Sequence, residues 1–278
     1  MIRKLVITAL FLFGLFIFLY PTVMKFYHNY TMSRQSDAIS EQFQVSSEDQ
    51  RTAYQNFTHY NESLSGTSSI DSPPVVVKKD HTARMYEDME NVVATIDIPA
   101  LDIHYPVFEK ATPENLDRGV ARVEGTSYPV GGKPSNSVLA AHSYSSDYEW
   151  FTHIDKLQDD AIVIINNFED TLYYKVSGRE IISPDEVDKL AIREDEDMIT
   201  LLTCTASGED RVLVYAERTS PPSIEMIQDT VASSKSNSEI KEDRQWKEHI
   251  KVMSSSSGIV AIALILIALF LLFMKRRK

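Results

Sequence analysis

The sequence predicts an all-β domain of about 130 residues, set between polar tracts and apolar ends. Between residues 91 and 219 the chain breaks into about seven or eight short runs rich in Val, Ile, Leu and Tyr. Gly, Asn, Asp or Pro bounds each run, as expected of strands joined by turns. Only two or three short helical stretches fall among them, and there is no internal repeat. A barrel or sandwich is the natural class.

The elements follow in order. Val92-Val93-Ala94-Thr95-Ile96-Asp97-Ile98 is a first strand, stopped by Pro99. Ile103-His104-Tyr105-Pro106-Val107-Phe108 is a second, and its proline suggests a sheet edge. Thr112-Pro113-Glu114-Asn115-Leu116 starts a helix with proline in the first turn. Tyr128-Pro129-Val130-Gly131-Gly132 is turn chemistry. Ser137-Val138-Leu139-Ala140-Ala141-His142 reads as a buried strand ending in histidine. A short helix over 150–157 precedes strands over 161–168, 171–182, 198–204 and 211–218.

Outside this region the composition changes. Residues 5–24 are almost wholly apolar, with Arg3 and Lys4 before them and Lys25 after, long enough to span a bilayer. A cleaved secretory signal has the same outline, but no small-x-small site follows. A second apolar run, 258–274, ends in Lys275-Arg276-Arg277-Lys278. Basic residues favour the cytoplasmic side, so both termini are expected inside and the middle outside, at the cell membrane. The expected plan is an anchor (or signal) over 1–27, a polar extracellular stalk over 28–90 and the β domain over 91–219. A charged spacer over 220–257 and a transmembrane helix with a basic tail over 258–278 complete it. Asn-x-Ser/Thr triplets at Asn29, Asn56 and Asn61 arise readily by chance in such a polar tract.

A net charge of −12 and a pI near 5.1 argue against nucleic acid as a partner. No cluster has metal-ligand spacing, so neither metal nor other cofactor is expected. There is a single cysteine, Cys204, with no internal disulfide partner. A lone thiol outside the membrane is either buried and inert or reactive.

Cys204 ends the strand Ile199-Thr200-Leu201-Leu202-Thr203-Cys204, and alternation puts Thr200, Leu202 and Cys204 on one face. A short loop returns the chain at Arg211, whose guanidinium suits a thiolate or an oxyanion. His142, at another strand end, is a candidate general acid and base. Each residue alone has an ordinary structural reading; all three at strand ends of one small β domain point to cysteine chemistry.

Thr200-Leu201-Leu202-Thr203-Cys204 matches the Thr-Leu-x-Thr-Cys signature of the sortases, and His142 and Arg211 complete that family's His–Cys–Arg constellation. The order His then Cys is unlike papain-like proteases, and the alternating α/β pattern of caspase-like ones is absent. Ile96-Asp97-Ile98-Pro99 resembles the family's opening strand. Residues 125–132, 137–142 and 150–157, with the second anchor, resemble the pilus-building class C members. No Asp-Pro-aromatic lid motif is present, the nearest sequence being Asp71-Ser72-Pro73-Pro74.

The resemblance implies a closed eight-stranded sortase-type β-barrel flanked by two transmembrane helices. It implies a transpeptidase in which Cys204 attacks the Thr carbonyl of a Leu-Pro-x-Thr-Gly-like sorting signal on a secreted or pilin protein. Arg211 would steady the oxyanion and His142 would shuttle the proton, with Ala141, Leu202 and Thr203 bordering the substrate. The acceptor would be an amine, a pilin lysine or a cell-wall peptide. Two further readings stay open: a hydrolase that never transfers, and a tethered binding module with an inert thiol.

Overall fold

Period-two alternation commits each strand to an inner and an outer face. In the computed structural model, which describes residues 2–43, 47–65, 91–143 and 150–232, the strands close on themselves. They are β1 (Val92–Ile98), β2 (Ile103–Phe108), β3 (Val120–Arg122), β4 (Ser135–Ala140), β5 (Ile162–Asn166), β6 (Thr171–Ile182), β7 (Asp197–Cys204) and β8 (Arg211–Thr219). Their order around the closed barrel is β1-β2-β3-β4-β7-β8-β6-β5. Ile96, Ile98, Val107, Leu139, Ile165, Leu201 and Val214 belong to the main core cluster and expose no surface. Each contributes about 1.5–3 kcal/mol by leaving water.

A closed barrel has no edge, so the edge expected from Pro106 is absent. The proline is accommodated because the parallel β2–β3 ladder begins only at Val107↔Val120, leaving that side of β2 unpaired at Pro106. Gly119 enters there, and a Cβ on it would stand 2.9 Å from the Pro106 carbonyl oxygen. The helix expected over 150–157 is a turn and one 3-10 segment, Ile154–Lys156. Trp150 takes a φ of 40°, which a continuous helix forbids. Trp150, Phe151, Ile154 and Leu157 are nevertheless all buried.

The tract read as a polar stalk is helical in its first part and lies on the barrel. In α1 (Ile2–Phe43), Met32, Ser36, Ile39 and Phe43 recur every three or four residues and face the core. Ser36 Oγ donates to the His104 carbonyl at 3.1 Å, and Ser40 and Thr95 hydroxyls meet at 2.9 Å. This cover explains why the outward residue Thr95 is fully buried. Among the described residues no helix is long and apolar enough to cross a membrane. Most side chains of the first 25 residues, and all of 258–274, lie outside that description.

Docking of α1 carries a charge latch. His104 of β2 lies between Asp97 of β1 and Asp37 of α1, with Nδ1 2.9 Å from Asp97 Oδ2 and Nε2 3.3 Å from Asp37 Oδ1. These are ion pairs rather than aligned hydrogen bonds. Burial disfavours the imidazolium, but contact with Asp97 and the charges of Asp97 and Asp37 outweigh it, raising His104 above its ordinary 6.5. The linked stability is therefore full below 6.5 and is lost as pH rises through the raised folded value. Hydrogen exchange corrected for intrinsic pH dependence is expected to show α1 amides near Asp37 losing protection over that rise. His104→Gln is expected to remove the step, and a step that persists in it sinks this account.

α2 (Glu48–Leu64) opens with a capping box between Ser47 and Gln50. Its ring Phe57 stacks on Tyr128 at 4.0 Å. Asn61, 6% exposed, accepts from the Tyr128 N–H at 2.7 Å and donates to the Tyr128 carbonyl at 3.0 Å. It thus pairs that residue as a strand would. Asn61→Ala leaves two buried backbone groups unmet and is expected to cost about 2–4 kcal/mol in denaturant unfolding. Asn61→Asp keeps the acceptor but sets a buried carboxylate oxygen against the Tyr128 carbonyl, so it is expected to cost at least as much; equal stability of all three forms overturns this reading.

Candidate active site

Strands β4 and β7 run parallel, from Ser135↔Asp197 to Ala140↔Leu202. Beyond them the Ala141 N–H donates to the Leu202 carbonyl at 3.2 Å, and Thr203 Oγ1 donates to the Ala141 carbonyl at 2.8 Å. This clasp carries His142 out beside Thr203 and Cys204. β7 and β8 are antiparallel, and Cys204↔Arg211 is their final pair. The loop between them is closed by Thr205 N–H to Asp210 O at 3.0 Å and Gly208 N–H to Thr205 O at 2.9 Å. Gly208 has a φ of 78°, where other residues are strained. Histidine, cysteine and arginine, from three strand ends, thus share one end of the barrel.

The thiol lies on the outer face of the barrel wall. Ile199 and Leu201 enter the lumen core, whereas Leu202 packs with Ile182, Met198, Leu213 and Tyr215 outside it. Alternation places the half-buried Cys204 on the Leu202 face and Arg211 on the Leu213 face next to it. Of the residues expected to border substrate, Thr203 and Ala141 are buried and bound to each other, while Leu202 is half-buried beside the thiol.

The connection from β6 to β7 lies against this outer cluster. Its 3-10 segment Val187–Leu190 is held by Asn136 Nδ2, which donates to the Leu190 carbonyl at 3.0 Å. Asn136 Oδ1 in turn accepts from Thr200 Oγ1 at 2.8 Å. Tyr215 donates to Glu180 and to the Lys189 carbonyl. Burial and the Glu180 contact push the Tyr215 hydroxyl up, and the same hydrogen bond holds Glu180 below its usual value.

Arg211 Nη1 donates to the carbonyls of Gly208 at 3.2 Å and Asp210 at 3.1 Å. A guanidinium has five donors, so the loop orients it without exhausting it. The His142 ring is half-exposed, and its Nε2 lies 3.2 Å from Asp117 Oδ1. Asp117 was not among the residues expected from sequence. The signal was there: α3 (Pro113–Leu116) leads into β3, which pairs antiparallel with β4. That hairpin sets the turn before β3 against the chain leaving β4. Among the described residues no group of His, Cys, Asp and Glu is placed to hold a metal.

The Sortase domain family matches residues 96–219. No curated protein matches the chain with significance. Among solved structures, sortase C from Clostridium perfringens SM101 is 31% identical, covering 68% of this chain and 99% of that one, with a TM-score of 0.54. Clostridium perfringens sortase C with the C-terminal cell wall sorting motif has the same identity and coverage and a TM-score of 0.56. Streptococcus agalactiae sortase C1 in complex with MTSET is 30% identical over 63% of this chain and 92% of that one, with a TM-score of 0.53. Barrel, thiol and comparisons agree, and the chain belongs to the sortase family of cysteine transpeptidases, most like its class C members.

Proposed function

We propose that the protein cleaves a Leu-Pro-x-Thr-Gly-like sorting signal and joins the freed acyl group to an amine, that of a pilin lysine. The observation that carries this reading is the terminal Cys204↔Arg211 pair beside a histidine clasped by the Thr203–Ala141 hydrogen bond. The Cys204 sulfur attacks the Thr carbonyl, and Arg211 hydrogen-bonds the oxygen as it becomes negative. His142 gives a proton to the departing Gly amine, leaving a thioacyl enzyme. The incoming amine attacks the thioester and returns a proton to His142, so the enzyme ends as it began. Leu202, beside the thiol, offers apolar contact to the sorting signal.

The sorting-motif complex of the Clostridium perfringens enzyme, 31% identical to this chain, supports the substrate class. The protein is proposed to work at the outer face of the cell membrane, held by residues 5–24 and 258–274. Substrates held in the same membrane then meet it at raised effective concentration. A second reading, attachment to a cell-wall peptide, is favoured by the missing Asp-Pro-aromatic motif. In the deciding experiment, the full chain in detergent is incubated with a Leu-Pro-x-Thr-Gly peptide and mapped by mass spectrometry. A thioacyl adduct on Cys204, then transfer to a pilin lysine, is the expected result. Transfer only to wall peptide selects the second reading, and hydrolysis without transfer rejects both. A folded protein that forms no adduct points to an inert barrel.

A further inference from the structure

We infer that Asp117 is a positioning residue for His142, and that its carboxylate makes Nδ1 the nitrogen that exchanges protons with substrate. This rests on the acid–base role proposed for His142. The geometry is independent of that role. A carboxylate only accepts hydrogen bonds, so at 3.2 Å from Asp117 Oδ1 the ring must present Nε2 with its hydrogen. In the neutral ring the lone pair then belongs to Nδ1, which takes the proton from the incoming amine. In the charged ring the Nδ1 proton goes to the departing amine. Nε2–H stays on the carboxylate through both halves of the cycle.

Both partners are carried on well-anchored backbone. The Ala141 clasp fixes one side of His142, and the His142 carbonyl accepts from the Phe151 N–H at 3.0 Å on the other. Asp117 ends α3, where its N–H donates to the Pro113 carbonyl at 3.0 Å. The turn around it is pinned by Thr112, which caps the helix at Asn115 N, and by Asn115 Nδ2 donating to the Lys110 carbonyl at 2.9 Å. Gly119 fits under the Pro106 carbonyl as described, and the Arg118 guanidinium lies 4.8 Å from the Phe108 ring centroid. The Asp117 side chain itself is 76% exposed. An exposed pair of this kind contributes little to folding. Its effect is on the orientation of the ring and on which nitrogen holds the hydrogen.

The test uses the full chain as Asp117→Asn and Asp117→Glu. Single-turnover thioacyl formation is expected to slow about tenfold in Asp117→Asn, a fraction of what acid–base catalysis usually supplies. KM should stay within about twofold, since the substrate is not touched. Asp117→Glu should recover at least about half of the wild-type rate, because it restores a carboxylate, which only accepts, whereas an amide can also present its N–H to the ring. Alkylation of Cys204 and the melting temperature should not change. With 15N-labelled histidine, and His142→Gln for assignment, the neutral wild-type ring should be the Nε2–H tautomer, and Asp117→Asn should lose that preference. A wild-type rate and tautomer in Asp117→Asn overturn the inference, as does a slower rate accompanied by a fall in melting temperature. If wild type forms no adduct, the acyl-transfer reading has failed instead, and the tautomer still decides the role of Asp117.

Discussion

Cys204→Ala is expected to leave no thioacyl adduct and to lower transpeptidation by about 10⁴-fold or more, because the chain has no other thiol to form the thioester. The fold should be indifferent to the change. Cys204 is half-buried at the last position of β7, and the β7–β8 ladder runs through its backbone. Stability within about 0.5 kcal/mol of wild type is the expected companion result. The chain has one cysteine, so thiol labelling falls from one equivalent to none and verifies the protein used. Retained transfer in a chain with no thiol would falsify the assignment of the nucleophile.

Arg211→Ala is expected to slow thioacyl formation about 10²–10³-fold, the usual cost of losing one oxyanion donor. Lysine should recover only part, since a point charge lacks the planar fork that addresses two oxygens at once. The guanidinium also binds two carbonyls of its own loop, so loop damage must be told apart from lost chemistry. The loop keeps its Thr205–Asp210 and Gly208–Thr205 backbone bonds without that side chain. Unchanged alkylation of Cys204 with slow acyl transfer is the pattern expected of an oxyanion donor. Near-normal acyl transfer in Arg211→Ala would make the residue a brace for the loop.

The barrel was legible wherever burial acts on one strand at a time. β-branched runs and their turn residues mark β1, β2 and β4 to β8, because local preference and tertiary packing agree there. β3 is only Val120–Arg122, too short to show alternation. The placement of Thr203, Cys204 and Arg211 on one hairpin, and of His142 at a strand end, was legible because each is fixed by its own strand. What escaped depends on distant partners. The inward stripe of α1 contains Ser36 as well as Met32, Ile39 and Phe43, and the key contact of α2 is Asn61, so polar residues hide both docking faces. Asp117 is an ordinary exposed acid until the β3–β4 hairpin brings His142 to it.

The parallel β4–β7 ladder also sets a timetable. As the chain is made from its N-terminus, His142 precedes Cys204 by about sixty residues, or about 3–12 s of synthesis. β7 enters the sheet between β4 and β8, so its thiol meets its arginine only when β8 has arrived. Such long-range pairings form late and slowly. A nascent or truncated chain ending before Arg211 holds the cysteine beside its histidine but without its arginine, so β8 is the strand that completes the trio.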